Sequence, residues 1–160
     1  MGITSSTGDD AIYRFFIEAE RIYNEEIIRA FSYLGEQCIK RIRDRSAEES
    51  WIDQTGNLRS SIGYAVYEYG KETIRSAFKK VLNGSDGTQQ GEKYLDSLSS
   101  SYSDTYALVV VAGMSYAEFV EARDDKDVLA STKLWADGKI NEYLQKALQR
   151  AEERINRLKF

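Results

Sequence analysis

Few residues of this chain have the types and spacing that chemistry demands. Histidine is absent and Cys38 is the only cysteine, which removes Ser–His and Cys–His nucleophile pairs and zinc sites of the usual composition. Cys38 falls on the apolar stripe of a helical segment, where a buried structural thiol is the expected role. Carboxylates occur as neighbours at Glu25-Glu26, Glu48-Glu49 and Asp124-Asp125. Adjacent acids on a helix point in different directions, however, and nothing marks one of these as desolvated for acid–base work. Asp124, Asp125 and Asp127 share one turn. Weak binding of a divalent ion and a solvated loop both account for them, and the loop is preferred. Segment 83–91 (NGSDGTQQG) has part of a calcium loop's spacing but lacks the bidentate acid, so a plain turn is preferred there too. The glycines match neither a phosphate loop nor a dinucleotide fingerprint. No cofactor is expected, and an enzyme using carboxylates is the last of three readings.

Tyrosine is more informative. The chain holds 11, several beside its strand-like segments: Tyr64, Tyr67, Tyr69, Tyr102, Tyr106 and Tyr116. Strands favour aromatic residues in any case. Tyrosine is also enriched at protein interfaces, where it offers rigid area with a polar tip. Alternation sends Tyr67 and Tyr69 to the face opposite Tyr64, which favours the interface reading.

The elements that must position these residues follow from periodicity. Residues 1–9 read as a loose polar tail. Asp9 or Asp10 can cap a helix over 10–45 whose apolar positions include Ile12, Phe16, Ile22, Ile27, Phe31, Leu34, Cys38 and Ile42. A rod of roughly 50 Å outruns a small domain, so part of its stripe is expected to meet another chain. The basic cluster Lys40, Arg41, Arg43 and Arg45 suits the helix C-terminus at least as well as a phosphate. A connector over 46–61 carries Trp51, with Asp53 or Thr55 able to cap one helical turn through Leu58. Segment 62–69 alternates as a strand. Gly70-Lys71 leads into a return strand over 73–78, and this hairpin is preferred to a helix over 72–82. A short helix over 93–102 is expected to turn Tyr94, Leu95 and Leu98 inward.

The uncharged run Leu108-Val109-Val110-Val111-Ala112 reads as the central strand of a sheet, buried on both faces. Ser115 can cap a following helix with Tyr116, Phe119 and Val120 on its inner face and Glu118 and Glu121 outside. Residues 128–130 are read as a brief edge strand. A second long helix over 132–158 carries Ile140, Tyr143, Leu144, Ala147, Leu148, Ala151, Ile155 and Leu158 on one face, with Glu142–Lys146 and Glu153–Arg157 pairs outside. The sum is a single α+β domain over 1–160, a small antiparallel sheet flanked by two long helices. Its formal net charge of −4 gives no global field for nucleic acid, and no apolar run reaches membrane-spanning length.

Two short motifs carry a family resemblance. Gln54-Thr55-Gly56-Asn57-Leu58-Arg59-Ser60-Ser61-Ile62, after a long helix and before a strand, resembles the TGNLR-x-SI signature of a tailed-phage minor tail-component family, the small proteins of the neck and tail-completion region. Tyr116-Ala117-Glu118-Phe119-Val120-Glu121 resembles that family's second signature, a strand followed by Tyr-Ala-x-x-Val-Glu. A C-terminal amphipathic helix completes the pattern. Ala122-Arg123-Asp124 stands where family members often have a Gly-Thr turn, and proline is absent.

The resemblance implies a non-enzymatic structural subunit that forms a ring where a phage or prophage head meets its tail. Its partners would be copies of itself and neighbouring connector and tail proteins, with no membrane and no specific nucleic acid. Its location would be the host cytoplasm and then the virion. The alternative is an adaptor of the same fold outside a virion. In the resemblance's terms Trp51 and the Thr55–Arg59 turn lie near a subunit contact, with Arg59 paired to an acid. Against this stands a reading with Trp51 and Leu58 in the core and Arg59 solvated.

Overall fold

A computed structural model describes residues 8–46, 50–123 and 126–158. Helix α1 (Asp9–Arg43) leads to a one-turn helix α2 (Asn57–Ser60), strand β1 (Ile62–Glu68) and strand β2 (Lys71–Arg75). Helix α3 (Ser85–Leu98) continues through a 3-10 turn at Ser99–Tyr102 into strand β3 (Tyr106–Ala112). The short α4 (Ala117–Glu121) and the long α5 (Ala130–Ile155) close the α+β fold.

The sheet is antiparallel in the order β2-β1-β3. The expected hairpin is therefore present, turning at Tyr69-Gly70, both with positive φ. The expected place of 108–112 is corrected: β3 is an edge and β1 is the centre. β1 is buried on both faces from Ile62 to Tyr67. Ile62, Tyr64 and Val66 meet α1, while Ala65 and Tyr67 meet Leu95 of α3. An aliphatic run had suggested two covered faces, which β3 does have in part, but coverage of faces does not give a strand neighbours on both sides. Backbone bonds from Gly113 N to Ser61 O and from Tyr69 N to Thr105 O bracket the β1–β3 ladder. By antiparallel alternation, Leu108 and Val110 turn their N–H and C=O groups to the open edge.

Other corrections share a cause: local signals lost to tertiary packing. Segment 83–91 is the start of α3 rather than a turn, because its glycines let α3 press against its neighbours. A Cβ at Gly87 would lie 2.0 Å from Asn57 O, and one at Gly91 would lie 2.3 Å from the Phe78 ring. Tyr94 is exposed, and only Leu95 of that helix's expected inner residues is fully buried. Phe119 of α4 is exposed as well, and Tyr116 precedes the helix at its N-cap position, so Ser115 caps nothing. Asp9 and Asp10 lie inside α1, whose N-cap is Gly8. Residues 128–130 are no strand, since α5 begins at Ala130. Leu148 on α5 is exposed. Residues 1–7 of the expected tail, 47–49 of the connector, and Asp124 and Asp125 of the acidic turn lie outside the described residues.

α1 and α5 pack antiparallel in one constant register. Arg45 donates to Ser131 Oγ at 2.8 Å, Arg41 lies over Trp135 at 5.4 Å, and Tyr33 meets Tyr143 edge-on at 5.5 Å. Glu26, 1% exposed, then accepts from Arg150 Nε at 2.8 Å and Arg154 at 2.9 Å, with Arg29 at 3.2 Å on its own helix. Burial alone would raise the Glu26 pKa. The Arg150 and Arg154 guanidiniums outweigh it and hold the carboxyl below the usual range. A carboxylate depressed on folding stabilises the fold above its unfolded pKa, and that contribution disappears as pH falls through the folded value. Glu26→Ala is expected to lower unfolding free energy at neutral pH by about 2 kcal/mol, since it removes charge-assisted hydrogen bonds to Arg150 and Arg154, which are part-exposed and turn to water instead. In urea titrations the gap between wild type and Glu26→Gln should close below the usual carboxylate range, and an unchanged gap at acid pH would refute this assignment.

Candidate functional site

The two motifs of the resemblance meet in space. Trp51, Asp53, Thr55 and Leu58 line one side of a pocket of about 260 Å³, and Tyr116 and Val120 line the other. Gly56 makes the TGNLR turn. Its φ is +80°, which favours glycine, and a Cβ there would lie 1.9 Å from Val81 O. Neither Asp53 nor Thr55 caps α2 as expected, since its N-cap is Gly56 without a side-chain cap bond; both brace the turn before it, Asp53 Oδ1 accepting from Gly56 N at 3.0 Å and Thr55 Oγ1 from Asn57 N at 3.3 Å. Asn57 Oδ1 accepts from Gly87 N at 3.2 Å, tying the turn to α3. Ser60 Oγ accepts from Val81 N at 2.8 Å.

Arg59 gives the motif its purpose. Its guanidinium donates to Arg43 O and, at 3.1 Å, to Arg45 O. These are carbonyls at the end of α1, where a helix has acceptors without intrahelical donors and a partial negative charge. Arg59 also lies over the Trp51 ring at 4.9 Å, and its Nε is 3.7 Å from Asp53. Trp51 and Leu58 are buried. The outcome thus divides between the two readings: Trp51 and Leu58 are core, and Arg59 is paired to an acid, but within its own chain.

The second motif is likewise a tether. Glu121, expected to face outward, instead accepts from Leu129 N at 2.7 Å and Ala130 N at 3.0 Å, capping the start of α5. Ala117 packs half-buried against the main core. Tyr116 is partly exposed, and its phenol is pushed up by burial, with the Asp53 carboxylate adding to the effect. Of the two strand tyrosines, Tyr67 is fully buried, stacked on Tyr102 and donating to Leu95 O at 3.3 Å. Tyr69 is exposed beside the Tyr106 ring at 5.1 Å. The basic cluster at the end of α1 is spent on tertiary contacts: Arg43 donates to Ile62 O at 2.5 Å, and Arg45 bridges to Asp127 at 2.8 Å.

Little here is reactive. Burial pushes the Cys38 thiol up to about 11, which leaves almost no thiolate at neutral pH. Among the described residues no cluster of three or more Cys, Asp or Glu is placed to hold a metal, and no helix is long and apolar enough to cross a membrane.

The uncovered surface lies elsewhere, at the start of α1. Tyr106 at the head of β3 is tied to Asn24 through its hydroxyl, so the sheet stops there. In the α1–α5 register, the end of α5 at Ile155 falls opposite Arg21. The turns after it carry the chain to Leu158, opposite Glu18, so residues 9–17 project about two and a half turns, roughly 13 Å, past every other described element. Ile12, Tyr13, Phe16 and Ile17 are all exposed on this overhang, Phe16 by 64%. The length of the apolar pattern announced an excess of helix, but not which end would be bare.

Arg59→Lys is expected to lose about 2 kcal/mol of stability, because a lysine cannot serve two carbonyls and an aromatic face together. Gly56→Ala should unfold at still lower urea, and wild-type midpoints for both variants would refute the clamp. No known protein family, characterised protein or solved structure matches this chain.

Proposed function

We propose that this chain is a structural subunit of a phage or prophage head–tail junction, a neck or tail-completion protein that works as a ring. It assembles through contacts with its own copies and with neighbouring connector and tail proteins, first in the host cytoplasm and then in the virion. One observation carries the reading: a bare apolar stripe on a helix that projects beyond every other described element. A soluble monomer rarely keeps such a contiguous patch unless something covers it. The two motifs support the same reading by their order and by their meeting at one joint.

The role is non-enzymatic. Charged groups at Glu26, Arg45 and Arg59 are used to fix elements to one another. A ring subunit needs a rigid body with two unlike surfaces, since a head-to-tail contact closes by rotation.

Light scattering on size-exclusion fractions tests the proposal, run over a concentration series with and without the connector and tail proteins encoded beside this chain. Closed rings, alone or on addition of those partners, are expected. A chain that remains monomeric with every such partner present overturns the virion role and leaves an adaptor of the same fold.

A further inference from the structure

A second apolar surface lies at the opposite end of the molecule. α5 flanks α1 without closing onto β3, and the gap between them is a groove of about 420 Å³. Leu34 and Cys38 form its floor, Leu108 and Val110 one wall, and Leu129 and Ile140 the other. Such a volume lies within the ~300–1,000 Å³ that receives compact apolar ligands. Ala136 also faces it, and Lys133 and Asp137, paired at 2.7 Å, stand on its rim.

We infer that this groove receives the projecting start of α1 from a second copy of the chain, with Tyr13, Phe16 and Ile17 as the anchors. The inference deepens the ring-subunit reading and rests on it for closure of the ring.

The occupant cannot be the chain's own helix. Ile12 and the groove residue Phe31 lie on one continuous α-helix, roughly 28 Å apart along its axis. A second copy has no such constraint. Its overhang carries an exposed apolar face one turn long, with Tyr13, Phe16 and Ile17 at i, i+3 and i+4. Charge agrees with the fit. Asp10 and Arg14 border that face on its Ile17 side at a spacing of four, and Lys133 and Asp137 stand on the rim at the same spacing. Laid parallel to α5, the incoming helix sets Asp10 against Lys133 and Arg14 against Asp137. The contact joins unlike surfaces, so it propagates head to tail, as a ring requires and a twofold dimer does not.

Two variants break the contact from opposite sides. Phe16→Asp spoils the overhang and spares the groove; Ala136→Arg fills the groove and spares the overhang. Both sit at accessible positions on helices, and unchanged thermal unfolding of each checks that the fold is intact. Sedimentation of the wild type is expected to show self-association, weakened at least about 30-fold in either variant, as for a hot-spot residue. Mixed in equal amounts, the two variants should form a one-to-one dimer and stop there, because each retains one working surface. A wild type that is monomeric up to about 1 mM, or variants that associate as the wild type does, overturns the inference. So does loss of association in Phe16→Asp alone with no dimer on mixing, which would assign the overhang to pairing with its own kind. Rings that form normally from both variants on addition of tail proteins would sink this contact and spare the ring. A variant dimer without any virion assembly would do the reverse.

Discussion

The register of α5 on α1 is the constraint from which the rest of the molecule follows. A buried carboxylate with three guanidinium neighbours resists sliding, because a shift of one turn in either direction would take Arg150 or Arg154 away from Glu26. At the other end Arg45 holds Asp127, Ser131 and Thr132. Pinned at both ends, the pair has a fixed offset, and α1 must run past α5. The same pinning keeps α5 on the flank of α1, so that it stands beside β3 without covering its edge. The bare helix and the open groove are thus two results of one alignment.

The motif at 55–59 has a structural meaning that its polar look conceals. A 35-residue helix ends in carbonyls that need donors. Arg59 supplies those donors, Gly56 supplies the backbone turn that brings Arg59 back, and Trp51 provides the face on which the guanidinium rests. Glu121 does the equivalent work for the amide groups that open α5. Both motifs therefore terminate long helices.

What could be read from the sequence depended on how local each signal was. The two long helices were legible because their stripes repeat over many turns, and the hairpin because Gly70 interrupts an alternating run. The edge position of β3 was not, since Leu108 to Ala112 has the same composition whether it pairs on one side or two. α3 was hidden by Gly84, Gly87 and Gly91, which look like loop residues but are there for close approach to α2, Phe78 and β1. Arg59 pairs with an acid, Asp53, as one of the two readings had it, yet no sequence pattern places it against the carbonyls of residues 43 and 45. The groove had no signal at all, because it is made by the distance between two elements.

An uncovered helix end and an uncovered groove have different costs in a lone molecule. The overhang has no neighbour to bury its stripe, so those turns rely on continuity with the packed part of α1 and on their own weak propensity. The groove, by contrast, is walled by β3 and α5, which are held from elsewhere, and keeps its shape when empty. An association between them joins a soft element to a rigid one. Most of the ordering entropy then falls on the helix, and the receiving surface is already organised. Such an arrangement still associates free in solution, where the ordering cost is met at every encounter, and associates more strongly when copies are already held close, as at a symmetric template.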